Sequence, residues 1–77
     1  MNTKEKVVSI LKEVKPTKNL ENVNDIIEGS YIDSFELMNL ISLLSDEFSI
    51  EIGIDDMTID NFNSVDAIVS MVERHKA

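Results

Sequence analysis

Apolar positions fall into three helical runs, separated by a long polar interval and a short broken one. Val7, Ile10, Leu11 and Val14 fit the i, i+3, i+4, i+7 template of a helix with one buried face. Thr3 stands where a cap belongs and Pro16 cannot continue a helix interior, which predicts a helix over about residues 4–14. Lys12 and Lys15 in its last turn suit the negative end of the dipole. The second run is denser: Leu37, Leu40, Ile41, Leu44 and Phe48 form a core stripe for a helix from Ser34 to about Phe48. Gly53 then breaks an extended stretch, and a short helix is expected around residues 55–59, with Asp55 and Asp56 at its positive end and Met57 free to pack or to meet a guest. Val65, Ile68, Val69 and Val72 mark a last helix, with Asn63 as its expected cap and Phe62 stapling its start. The pattern predicts an all-α fold, a bundle of three longer helices and one short one.

Two features leave the pattern open. Residues 16–33 show no sustained period but carry Leu20, Val23, Ile26 and Ile27, which read as anchors of a long ordered connection. In the second helix Phe35, Met38 and Ser42 follow an i, i+3, i+7 line away from the core stripe. Either a wider face buries Phe35 and Met38, or they stand in solvent as a docking patch.

Length and charge narrow the classes. A chain of 77 residues is one domain, residues 1–77, with a core that leaves modest stability. The balance of 15 acidic against 7 basic residues, net charge −8, argues against nucleic acid as a partner and favours partners with basic patches. The absence of cysteine removes disulfides, thiolate metal sites and cysteine nucleophiles together. No apolar run is long enough to span a bilayer, and a cytoplasmic monomer is expected.

The chemistry gathers at one point. Asp33 can cap the second helix and Glu36, three residues on, completes a capping box, making Ser34 the first helical residue. A hydroxyl there faces unpaired backbone donors and the positive dipole end, a setting that suits a phosphodiester. Spacing alone does not separate this from an ordinary cap. Elsewhere the aspartates of 55–56 lack the glycine and glutamate of a calcium loop, so no metal site is expected. His75, beside Arg74 and Lys76, reads as a solvated residue at the negative end of the last helix. With no nucleophile, base and oxyanion donors to assemble, no catalytic set is expected and the chain reads as a non-enzyme.

Asp33-Ser34-Phe35, the apolar run Leu37, Met38, Leu40, Ile41 and Leu44, the segment Asp46-Glu47-Phe48 with Ile50-Glu51-Ile52, and Asn61-Phe62-Asn63-Ser64-Val65 together resemble the acyl carrier protein family. The resemblance runs through nearly the whole chain. It implies an acyl-carrier-like four-helix bundle whose Ser34 bears 4′-phosphopantetheine, placed there from coenzyme A by a phosphopantetheinyl transferase, with Asp33 helping to hold that enzyme's magnesium. It further implies a loading ligase for acyl or aminoacyl groups and downstream fatty-acid, polyketide or related enzymes. Recognition is then expected on Asp33, Phe35, Glu36, Met38, Asn39, Ser42, Asp55, Asp56 and Met57. Phe35 replaces the family's commoner leucine, as in D-alanyl and some aminoacyl carriers, and Gly29 stands further from the serine than in many members. Acyl, aminoacyl and peptidyl cargo all remain open, as does, from another class, a non-covalent helical interaction module.

Overall fold

A computed structural model describes residues 2–76; Met1 and Ala77, the two ends of the expected 1–77 domain, lie outside the described residues. The described chain is all-helical, with α1 (Thr3–Val14), α2 (Ser34–Phe48), a single 3-10 turn (Ile54–Asp56), α3 (Ile59–Phe62) and α4 (Val65–Lys76). The expected acyl-carrier-like architecture of three longer helices and a short one is present. α1 packs against both α2 and α4, and α3 lies against α4.

The periodic residues are the buried ones. Val7, Ile10, Leu11 and Val14 of α1, Leu40 and Leu44 of α2, and Val65, Ile68, Met71 and Val72 of α4 share one core with Phe62 and three loop residues, Leu20, Ile26 and Ile32. Leu37, Ile41, Phe48 and Val69 pack at its margin. The long connection is ordered by its own apolar side chains, as their spacing suggested.

Cap chemistry moves three expected boundaries. Asn2, not Thr3, caps α1: its side-chain oxygen accepts from Glu5 N at 2.8 Å, and Glu5 Oε1 accepts from Asn2 N at 3.2 Å. A cap at Thr3 would place Lys6 at the reciprocal position, where an ammonium has no acceptor to offer. The short helix expected over residues 55–59 is divided into the 3-10 turn and α3 by Thr58, whose hydroxyl accepts from Asn61 N at 3.3 Å and starts a new helix. Asn63 does not cap α4. Ser64 does, its hydroxyl accepting from Ala67 N at 3.0 Å.

Asn63 is drawn instead to the long connection. Its Oδ1 accepts from Ile27 N at 2.9 Å and Glu28 N at 3.2 Å, its Nδ2 donates to Glu28 Oε1 at 2.9 Å, and its carbonyl accepts from Ile26 N at 2.9 Å. One side chain thus satisfies backbone donors that no helix or strand would satisfy. Phe62, expected as a staple, is a fully buried core residue at the end of α3.

Gly29 closes the turn that follows. Its N–H donates to Asp25 O at 2.6 Å, and a Cβ built on it would stand 2.7 Å from that same backbone oxygen and 2.7 Å from the Tyr31 ring. Backbone cannot give way as a side-chain tip can. Gly29→Ala is therefore expected to destabilise the chain by about 1–3 kcal/mol, read as a lowered urea midpoint at unchanged slope. An unchanged midpoint would show that the turn yields freely.

The far end of α2 has no cation of its own. Lys6 of α1 and Lys76 of α4 stand 5.8 and 5.7 Å from the centre of the Phe48 ring, and Lys6 pairs with Glu47 at 3.5 Å. Positive charge thus reaches the negative helix end from neighbouring elements. Ser49 ends the helix in the left-handed conformation, φ 53°.

Candidate functional site

The start of α2 is built from a reciprocal pair of bonds. Asp33 is extended (φ −94°, ψ −177°); its Oδ1 accepts from Glu36 N at 2.7 Å, while Glu36 Oε1 accepts from Asp33 N at 3.0 Å. This is the capping box read from the spacing, and it makes Ser34 the first helical residue. Ser34 is exposed. It lines a groove of about 350 Å³ together with Ile27, Ser30, Ile32, Asp33 and Leu37. Its lining combines polar residues, Ser30, Asp33 and Ser34, with apolar ones, Ile27, Ile32 and Leu37. A bulky group joined to Ser34 can therefore leave the surface without displacing the core.

A larger depression, of about 430 Å³, lies along α1 and the connection between Asn2, Lys4, Glu5, Val8, Ser9, Lys12 and Glu21. Its hydroxyl, on Ser9, lies mid-helix, where the backbone donors are already engaged. The hydroxyl-bearing Ser34 of the smaller groove stands instead at a helix start, where backbone N–H groups lack helical partners.

Of the expected recognition residues, Asp33, Phe35, Met38, Asn39 and Ser42 are exposed on the first turns of α2. Phe35 retains 82% and Met38 63% of their accessible surface, which decides the open alternative in favour of solvent over a wider buried face. Asp55 and Met57 are also exposed. Glu36 and Asp56 are not free. Glu36 is taken up by the cap and by Lys15, whose Nζ lies 3.3 Å from Oε2.

Asp56 is held by the residue read as solvated. His75 Nε2 lies 2.7 Å from Asp56 Oδ2, which also accepts from Gly53 N at 3.2 Å. Beside it Arg74 Nη2 donates to Asn61 Oδ1 at 3.0 Å, and Asn61 Nδ2 donates to Asp56 O at 2.9 Å. The end of α4 thus fastens the 3-10 turn, a long-range contact that sequence spacing does not reveal. The His75 hydrogen bond, and secondarily the Gly53 N–H, hold the Asp56 carboxyl below its ordinary range. A depressed carboxyl stabilises the fold at pH above the ordinary carboxylate range, and that contribution is lost as pH falls through the lowered value. His75→Ala is expected to move the Asp56 titration upward, followed by carboxyl-carbon NMR; an unmoved midpoint would mean the pair does not persist in solution.

Sequence reading also missed Ile54, exposed at 87%, and Ile59 at 50%. Spacing gave no signal for Ile54: Ile50 and Ile52 precede it in alternation and Met57 follows three residues on, a pattern that reads equally well as buried. Among the described residues no group of three or more His, Cys, Asp or Glu side chains is placed to hold a metal ion, and no helix is long and apolar enough to cross a membrane.

A family model described as the phosphopantetheine attachment site matches residues 5–72. The chain belongs to that family. Its members bear a covalently attached 4′-phosphopantetheine group, which makes this chain a phosphopantetheine carrier of the acyl carrier protein type. No curated protein matches the chain. The residues at the start of α2 fit the group: an exposed hydroxyl, a helix N-terminus with its cap in place, and an open groove beside it.

Proposed function

We propose that Ser34 is the residue that bears the arm, and that the chain carries acyl intermediates as thioesters and presents them to fatty-acid, polyketide or related biosynthetic enzymes. The observation that carries this reading is the exposed Ser34 at the capped start of α2, lining the groove. When bound, the arm supplies the thiol on which cargo is held.

The chain's own residues do the rest. In the loading reaction the Ser34 hydroxyl loses its proton to a base of the transferase and its oxygen bonds to the phosphorus that bears pantetheine in coenzyme A. The bond from that phosphorus to the remainder of coenzyme A breaks, and 3′,5′-ADP leaves. Asp33 keeps Ser34 at the helix tip with one carboxylate oxygen and would help to hold the transferase's magnesium. The partial positive charge of the helix start faces the phosphodiester once it is formed. Catalysis belongs to the partners.

Partner enzymes would meet the outer side of α2. Phe35, Met38, Asn39 and Ser42 offer an apolar and uncharged surface there, and Asp55 and Met57 add to it. Glu36 and Asp56, engaged within the fold, would contribute less than their sequence positions suggested. Aminoacyl, D-alanyl or peptidyl cargo is the alternative, on the strength of Phe35 and of a helix with few free carboxylates. Incubation with a phosphopantetheinyl transferase and coenzyme A, followed by peptide mapping, should place one arm on Ser34. Intact mass of the chain isolated from its native cell would then give the cargo. An arm found on any other serine would end the proposal.

A further inference from the structure

The sequence contains no lysine or arginine between Lys18 and Arg74. Every such cation that meets α2 must therefore come from the α1 region or from the end of α4. At the start of α2 it comes from Lys15, the residue that ends α1. Its ammonium lies 3.4 Å from Glu36 Oε1 and 3.3 Å from Oε2, joining side chains 21 residues apart. The same Glu36 Oε1 receives Asp33 N at 3.0 Å, and Asp33 Oδ1 receives Glu36 N at 2.7 Å. Lys15, Glu36 and Asp33 thus form a continuous chain that stops one residue before Ser34.

A capping-box glutamate has three rotatable bonds and, without a further partner, keeps its backbone contact only part of the time. A cation fixed on a second helix restricts those rotamers. The Lys15 and Glu36 side chains are only 31% and 23% exposed, so water competes for this pair less than for one standing free in solvent.

We propose that Lys15 is a positioning residue for the loading of Ser34. It holds Glu36 across the Asp33 turn, so that the hydroxyl is presented in the one arrangement the transferase can use. The proposal rests on the reading of Ser34 as the attachment residue. Without Lys15 the turn spends part of its time in other arrangements, and the apparent affinity of the transferase for the carrier falls by the fraction lost. The turnover of bound carrier is then little changed.

The test uses the full chain, a phosphopantetheinyl transferase and coenzyme A, with loading followed by intact mass over a range of carrier concentrations. Lys15→Met is expected to raise the KM for the carrier about threefold to tenfold with kcat nearly unchanged. Lys15→Arg should restore most of the loss. Glu36→Gln keeps an oxygen for Asp33 N but loses the charge that Lys15 grips, and should give a similar rise. The double variant should be no worse than the worse single one, because the two side chains act through one link. Amide exchange at Asp33 and Glu36 should quicken in Lys15→Met and not in Lys15→Arg.

A Lys15→Met chain loaded at the parent's KM overturns the positioning role. So does a double variant in which the two single effects multiply, since Lys15 would then touch the transferase independently of Glu36. A parent chain that takes no arm at Ser34 overturns the attachment reading and this proposal with it. A parent loaded at Ser34 with an indifferent Lys15→Met overturns only the latter.

Discussion

Ser34→Ala will gain no phosphopantetheine under conditions that load the parent chain to completion, and it will do so while remaining folded. The expected loss is total because the proposed attachment makes the hydroxyl oxygen the bonding atom. The fold should hardly notice, since Ser34 is exposed and the cap of α2 is supplied by Asp33 and Glu36. Removal of an exposed side chain of this kind falls within about 0.5 kcal/mol of neutral. Coincident urea curves for parent and variant would separate loss of the acceptor from loss of structure. Ser9→Ala supplies the matching control, because Ser9 lies mid-helix in the larger depression on α1 and should be loaded as the parent is. Full loading of Ser34→Ala would refute the assignment, whatever its stability.

Phe62→Ala should be the most damaging single truncation for the fold. The side chain retains only 1% of its accessible surface and sits in the core shared by α1, α2, α4 and the long connection. Removing a buried phenylalanine costs about 3–5 kcal/mol, the sum of lost transfer energy and the cavity left behind. A small domain with no disulfide has on the order of 5 kcal/mol to lose. The variant is expected to be largely unfolded at room temperature or to melt without a cooperative transition, read by near-ultraviolet circular dichroism and urea titration. Phe35→Ala makes the contrast. With 82% of its surface in solvent it should change stability by about 0.5 kcal/mol or less. Equal damage from both would mean that the core is not closed around Phe62.

The helices were legible because their signal is local. Val7, Ile10, Leu11 and Val14, then Leu40 and Leu44, then Val65, Ile68 and Val72 announce their buried face by spacing alone. The Asp33-x-x-Glu36 box was legible for the same reason, since a cap is settled within one helical turn and its two bonds form between residues three apart. Where two residues could serve as a cap, spacing chose wrongly. Thr3 yielded to Asn2 because only Asn2 has a glutamate at the reciprocal position, and Asn63 yielded to Ser64 because its amide has more to satisfy elsewhere.

By itself, then, the amino-acid order determined the number and faces of the longer helices, the cap that places Ser34 first in α2, and the likeness to phosphopantetheine carriers. These depend on residues within a few positions of one another, whose geometry the helix repeat dictates. The tertiary structure alone decided which side of α2 stays in solvent, that His75 fastens the 3-10 turn through Asp56, that Asn63 ties down the long connection, and that Lys15 reaches Glu36. Each of those outcomes joins residues 19 to 36 positions apart or depends on what packs over a helix. A hydrogen bond or a buried face is fixed by where its partner finally lies, and no repeat along the chain encodes that distance.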